Sequence, residues 1–201
     1  PKSTAAKLAD ACKALYMDKM GDDTTVAVMK IREKSLVSVM FGPPSDSAED
    51  EKVVEAFLAD EGKKIVSGGT TSKIVSDYLK TTVCTCIDYI DPKIPPIGSM
   101  NGVDLVTEGV LTLGKVMEMS NTIVSDSNTD TSWLQKKDGA SLIAKYLFEE
   151  ATDINFYVGR AMNPAHQNPN LPLDLSIKLK IVEILSKNLT GMGKRVQVKY
   201  Y

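Results

Sequence analysis

Lys64-Ile65-Val66-Ser67-Gly68-Gly69-Thr70-Thr71-Ser72-Lys73-Ile74-Val75 is the stretch whose reading decides the fold. Lys64-Ile65-Val66 is a short apolar run of the kind found in a buried strand. Two glycines and a cluster of hydroxyl residues then break it, and Ile74, Val75, Tyr78 and Leu79 return on one face at helical spacing. A strand, a tight turn and a helix in so short a span form one half of a β-α-β unit. The same alternation continues on either side. Upstream, Glu49, Asp50 and Glu51 occupy the first turn of a helix, where acidic groups complement the dipole, and Val53, Val54, Phe57 and Leu58 form its inward face. Downstream come a strand around Val83–Ile87, a proline-rich loop from Asp91 to Gly98, and a strand Val103–Val106 that runs into Thr107-Glu108-Gly109. A helix through Leu113, Val116 and Met117 follows, then a polar loop from Ser125 to Ser132. Asp138-Gly139 opens a helix carrying Leu142, Ile143, Tyr146 and Leu147 inward. Ile154–Val158 is a strand, and Gly159–Leu171 is a long loop holding the only histidine. A helix from Leu173 to Leu189 and a strand Arg195–Tyr200 close the chain. Helices alternating with short strands predict an α/β fold with a mostly parallel sheet covered by helices on both faces.

The first part of the chain reads differently. Ser3 or Thr4 caps a helix whose inward stripe is Leu8, Ala11, Cys12 and Leu15, and Gly21 ends it. Val26–Ile31 is apolar on both faces apart from Lys30, as in a strand covered on both sides. One helix and one strand cannot close a core, so this piece is expected to be the remnant of a larger domain. The breaker cluster Phe41-Gly42-Pro43-Pro44-Ser45-Asp46-Ser47 sets the boundary. Residues 1–40 are then the remnant and 45–201 an accessory α/β domain. A chain starting at Pro1 rather than Met is expected to be a trimmed piece.

Composition narrows the function classes. A net charge of −2 provides no general attraction to nucleic acid or to an anionic membrane surface. No apolar run approaches the roughly 18 residues that a membrane span needs, and no signal peptide is visible. Three cysteines, Cys12, Cys84 and Cys86, make no disulfide framework, which points to a reducing, cytoplasmic setting. Cys84-x-Cys86 lacks the further ligands of a zinc site and reads as a pair of core cysteines. The closing Lys194–Lys199 segment is an alternating strand with solvated charges. Trp133, in a polar loop, is either a partner anchor or a local plug.

Two constellations carry chemistry. Asp22-Asp23, in Gly21-Asp22-Asp23-Thr24-Thr25, is either a turn before a strand or a pair of hard oxygen ligands for Mg²⁺ or Mn²⁺. Ser67–Ser72 is either a tight turn with Thr70 or Thr71 as helix cap, or an anion site in which Gly68 and Gly69 let backbone N–H groups approach the ligand. In a parallel sheet the loops after the strands meet on one edge. Ser67–Ser72, Thr107–Gly109 and Gly159–Asn168 should therefore bring Gly68, Gly69, Thr70, Thr71, Glu108, Arg160, Asn163 and His166 toward one cleft. Arg160 can clamp a phosphate or carboxylate, and His166 can exchange a proton near neutral pH. The structural alternative is that Arg160 forms a salt bridge and His166 orders its loop.

The helix, the Gly-Asp-Asp-x-Thr motif and the Val-rich run after it resemble the carboxy-terminal end of the catalytic domain of SpoIIE-type protein phosphatases. These belong to the 2C-type metal-dependent serine/threonine phosphatases. The segments Ile65–Thr71, Ile94–Gly98, Val103–Gly109 and Asn163–Asn168 are similar to an extension that follows that domain in some bacterial SpoIIE-like proteins. The resemblance implies that Asp22, with Asp23 beside it, is a metal ligand of a centre using Mn²⁺ or Mg²⁺. In that family the metals activate water for attack on phosphoserine or phosphothreonine of a regulatory phosphoprotein. The family's upstream acidic motifs have no counterpart before Asp22, so the chain by itself is expected to be inactive. Its expected role is regulatory, through a small anionic ligand or a partner. The alternatives are an enzyme acting on a small phosphorylated substrate through Arg160, Glu108 and His166, and a homodimerisation module.

Overall fold

The computed structural model describes residues 2–17, 23–29, 31–85, 94–125, 132–161 and 173–201. They form one seven-stranded sheet, mostly parallel, with six α-helices. The strands are β1 (Leu36–Phe41), β2 (Lys63–Ser67), β3 (Cys84–Thr85), β4 (Gly98–Met100), β5 (Val103–Thr107), β6 (Asp153–Val158) and β7 (Arg195–Tyr200). The helices are α1 (Lys2–Leu15), α2 (Asp50–Ala59), α3 (Gly69–Leu79), α4 (Val110–Ser125), α5 (Gly139–Ala144) and α6 (Leu173–Gly191). The strand order is β3-β4-β5-β2-β1-β6-β7. Strands β5, β2, β1, β6 and β7 run parallel, while β4 and β3 add an antiparallel ribbon at the β5 edge.

The parallel strands are apolar because both of their faces are covered. Val37, Val39, Phe41, Ile65, Leu105, Ile154, Phe156 and Val158 belong to the larger core, beneath Leu113, Val116, Ile143 and Leu147 of the α4–α5 region and Val182, Leu185 and Leu189 of α6. Met40, Val66, Val106 and Tyr157 face the other way, onto Val53, Val54 and Phe57 of α2 and Val75 of α3. Helix α5 passes directly into a π-helical turn, Lys145–Glu150. Ile143, Ala144, Leu147, Phe148 and Ala151, spaced as one face of a helix, turn into the core across this junction.

The beginning of the chain departs from its sequence reading. Leu36–Phe41, whose first five residues were assigned to the phosphatase remnant and whose last to the breaker cluster, pairs on one edge with β2 and on the other with β6. The Gly42–Ser47 breaker is thus the turn after a central strand. Residues 23–29 and 31–35 lie in no strand, contrary to the reading of Val26–Ile31, and Met29 and Ile31 are about 90% exposed (89% and 91%). A strand needs a neighbour for its backbone groups, and among the described residues no strand pairs with this segment. Helix α1 forms, but it begins at Lys2, so Ser3 and Thr4 lie within it and not at its cap, and Leu8 and Leu15 of its apolar stripe are exposed. Gly21 lies outside the described residues. The packed unit begins where the Arg32 guanidinium donates to the Glu149 carbonyl and Ser35 exchanges bonds with Thr152. Cys84, read as a core cysteine, sits exposed on the short edge strand β3, and Cys86 lies outside the described residues.

One polar cluster is built into the α2 side of the sheet. Asp60 Oδ2 accepts from Ser38 Oγ at 2.5 Å and Asn155 Nδ2 at 2.8 Å, and lies 3.0 Å from the Tyr157 hydroxyl. That hydroxyl accepts from Lys199 Nζ at 3.1 Å. Burial pushes the Asp60 carboxyl up. Donation by Ser38, Asn155 and Tyr157, with the Lys199 charge, outweighs burial and holds it below the usual carboxylate range. Burial, then the Asp60 bond and charge, push the Tyr157 phenol well up.

Because the folded Asp60 is the stronger acid, its contribution to stability is complete above the unfolded carboxylate pKa of about 4 and disappears as pH falls through the folded value. Urea denaturation at pH 7 and pH 3 should therefore show a loss of stability for the wild type. Asp60→Asn should be less stable at pH 7 and lose less on acidification.

Candidate functional site at the switch point of the sheet

The connection after β1 passes to the α2–α3 face, and the connection after β6 passes to the α4–α6 face. Strands β1 and β6 are hydrogen-bonded neighbours. In open α/β sheets this divergence leaves a crevice beyond the strands' carboxyl ends, where ligands are held.

Backbone contacts hold the loops together there. Gly159 N–H donates to the Phe41 carbonyl at 3.0 Å and Ala161 N–H to that of Pro43 at 3.2 Å, extending the β1–β6 ladder into the loops. A side chain at Gly159 is impossible in this arrangement, since a Cβ there would lie 1.9 Å from the Pro43 oxygen. Gly42 N–H donates to Thr71 Oγ1 at 3.1 Å, tying the β1 loop to α3. Gly68 N–H donates to the Thr107 carbonyl at 2.9 Å, and Ser67 Oγ donates to the Glu108 carbonyl at 2.8 Å. The loops after β1, β2, β5 and β6 are thereby joined along one edge.

The β2–α3 turn bears the features of an anion site. Gly68 has φ 116° and ψ 139°, a conformation that essentially only glycine adopts, and its position as N-cap carries no side-chain acceptor. Gly69 and Thr70 are exposed at the first turn of α3, while Thr71 is buried beneath them. Uncapped N–H groups at the positive end of a helix favour an anionic partner.

The other residues picked from the sequence separate into four groups. Arg160 is exposed at this edge, its backbone N–H donating to the Tyr201 carbonyl at 2.8 Å. Glu108, placed among the ligand-binding residues in the sequence reading, has its carboxylate engaged locally. Its Oε2 accepts from the backbone N–H groups of Leu111 at 3.0 Å and Thr112 at 3.4 Å, so the carboxylate caps α4. Asn163, His166 and Asp22 lie outside the described residues. Asp23 is exposed in an irregular segment, and no group of three His, Cys, Asp or Glu side chains suited to a metal occurs among the described residues.

The structure adds two residues that the sequence reading missed. Lys178 of α6 is 6% exposed, and its Nζ donates to the carbonyls of Gly159 at 3.0 Å and Ala161 at 3.4 Å, 5.8 Å from the centre of the Phe41 ring. It places a positive charge beneath the crevice and holds the β6 loop. Its signal was present in the sequence: Lys178, Ile181, Val182 and Leu185 follow the i, i+3, i+4, i+7 spacing of an inward stripe. Asp50, at the start of α2, has a carboxyl raised by burial and then by the neighbouring Asp46 charge, and its Oδ1 is buried without a partner. These acids make the α2 side of the edge unfavourable for an anion and leave the α3 side as the favourable one.

Comparison of the chain with protein-family models, with curated proteins and with solved structures finds no match.

Two substitutions test this geometry by chemical denaturation. Gly159→Ala should cost about 1–3 kcal/mol or more, because the obstructing atoms are backbone and cannot move aside. Glu108→Ala should cost roughly 0.5–2 kcal/mol through loss of the α4 cap, while Glu108→Gln, which keeps an acceptor, should cost less.

Proposed function

We propose that residues 36–201 form an accessory binding unit that takes a small anionic ligand at the carboxyl edge of the sheet. On the resemblance of residues 1–32 and of the downstream segments, we further propose that the unit regulates a cytoplasmic, metal-dependent protein serine/threonine phosphatase. The observation that carries the binding reading is the uncapped start of α3, set among loops locked together by backbone hydrogen bonds over the buried Lys178. Gly69 and Thr70 supply backbone donors there, and Arg160 is the exposed cation on the same edge. The engagement of Glu108 as a cap favours binding over turnover, since a carboxylate accepting two backbone N–H groups is poorly placed to exchange protons with a substrate. In the phosphatase, Mn²⁺ or Mg²⁺ would be held by Asp22 and Asp23 together with carboxylates supplied by the family's upstream motifs, and the protein substrate would be a phosphoprotein.

Calorimetric titration with inorganic phosphate and pyrophosphate tests the binding reading. Gly69→Pro is the informative variant, because proline is favoured at the first helical position and removes only the N–H. Gly69→Pro and Arg160→Ala should each weaken pyrophosphate binding about tenfold, the loss expected for one charge-assisted hydrogen bond, without changing Tm. Unaltered affinity in both variants, or no binding by the wild type, would overturn it. With p-nitrophenyl phosphate and Mn²⁺ the chain should show no turnover above buffer; clear turnover would contradict the regulatory assignment.

A further inference from the structure

We infer that a second copy of this chain docks on the outer edge of β7, joining two sheets into one across a twofold axis at Val198. This surface lies apart from the crevice at the strand ends and does not rest on the reading of that crevice.

The sheet guards one of its edges and leaves the other open. At the guarded edge, β3 is two residues long, a strand too short to template a partner. At the open edge, β7 has six residues in unbroken register with β6, with no proline and no bulge. Among the described residues no strand pairs with its outer side. The cations that could protect such an edge are turned back across the sheet. Arg195 Nε lies 2.9 Å from Asp153 Oδ1, and Lys199 Nζ donates to the Tyr157 hydroxyl at 3.1 Å, each on its own register partner in β6. Lys194 Nζ donates to the Ala151 carbonyl at 2.7 Å.

The backbone of the strand selects the partner and its register. Arg195 N–H donates to the Thr152 carbonyl and Tyr201 N–H to the Val158 carbonyl, both at 3.0 Å. Strand alternation then turns Arg195, Gln197, Lys199 and Tyr201 toward β6, while Val196, Val198 and Tyr200 present their N–H and carbonyl groups outward. An antiparallel copy centred on Val198 satisfies all three: Val198 meets its own counterpart, and Val196 meets Tyr200 on either side of the axis. On the α6 face this sets β-branched and aromatic side chains against one another, the kind of cross-strand pair that stabilises sheets, and it covers Tyr200, which is 47% exposed in the single chain. On the other face Arg195 falls beside the Tyr201 ring of the second copy, a cation against an aromatic face, and Gln197 falls beside Lys199. Sliding one copy by two residues, to centre the pair on Gln197, would instead set Arg195 opposite Lys199, and like charges directly opposite repel. The strand is therefore complementary to itself in one register. A contact of this isologous kind closes as a dimer.

Sedimentation equilibrium of the whole chain tests this. The chain should reach twice its own mass with a Kd on the order of ten micromolar, as suits a contact at the small end of specific interfaces. Val198→Pro removes an outward N–H and leaves the β6 ladder intact, so it should weaken association at least tenfold while the far-ultraviolet circular dichroism stays native. Gln197 is exposed, and changing it reads the register without disturbing the fold. Gln197→Glu, opposite Lys199 of the second copy, should tighten the dimer about three- to tenfold, and Gln197→Lys should weaken it by a similar factor. In the register centred on Gln197 both variants would weaken it. A monomer at every concentration up to about 500 μM, a dimer unaffected by Val198→Pro, or a Gln197→Glu chain that associates no more tightly than the wild type would each overturn the proposal.

Discussion

Strand β1 is hydrogen-bonded along both edges, to β2 on one side and β6 on the other, and this double pairing governs the rest of the molecule. A strand so placed exposes neither of its edges and has both faces covered, which is why Val37, Val39, Met40 and Phe41 are all but absent from the surface. The chain must leave β1 toward β2 on one face and return by β6 on the other. The seam between β1 and β6 therefore becomes the place where loops diverge. The close packing of Gly159 on Pro43 and the reach of Lys178 across to the Gly159 carbonyl are consequences of holding that seam shut near the sheet.

The two faces of the sheet are finished in different ways. On the α4–α6 side the apolar core is the larger of the two, and its buried polar groups are paired locally, Asn188 with Ser120 between α6 and α4 and Asp138 with Ser141 at the start of α5. On the α2–α3 side, β6 and β7 are joined to α2 by polar groups, with Asp60 collecting donors from β1 and β6 and Lys199 reaching in from β7. The partly buried carboxylate is stabilised there by the three donors that converge on its Oδ2 and by the Lys199 charge.

Much of this architecture was legible in the residues. Ile65–Val66, Val103–Val106 and Ile154–Val158 read as strands because their apolar runs are bounded by glycine or polar breakers. Asp138-Gly139 read as a helix start ahead of the apolar stripe Leu142, Ile143, Tyr146 and Leu147, and in the structure the Asp138 carboxylate caps α5 by accepting from the Ser141 N–H. Leu36–Phe41 escaped notice for a physical reason: its lone Ser38 blurs the run, and the glycine and prolines after it resemble a domain linker as much as a strand-ending turn. Val26–Met29 misled in the opposite direction, since local composition suited a strand and no partner was supplied. At the candidate site, the Gly68-Gly69-Thr70-Thr71 turn was identifiable from its glycines. The capping role of Glu108 was not, because an acidic residue before a helix serves equally well as a cap or as a polar group of the loop cluster. Lys178 was legible only to a reading that treats a lysine on an apolar stripe as a signal.

Hydrogen exchange of the backbone amides, residue by residue in the whole chain, tests most directly whether β1 organises the fold. The doubly paired strand should be among the slowest to exchange, with the amides of Val37, Val39 and Phe41 opening together with β2 and β6 only on global unfolding. The amides of Ala27, Val28 and Met29 should exchange at close to the rate of an unstructured peptide. Protection of Ala27–Met29 equal to that of β1, or opening of β1 ahead of β2 and β6, would contradict the account.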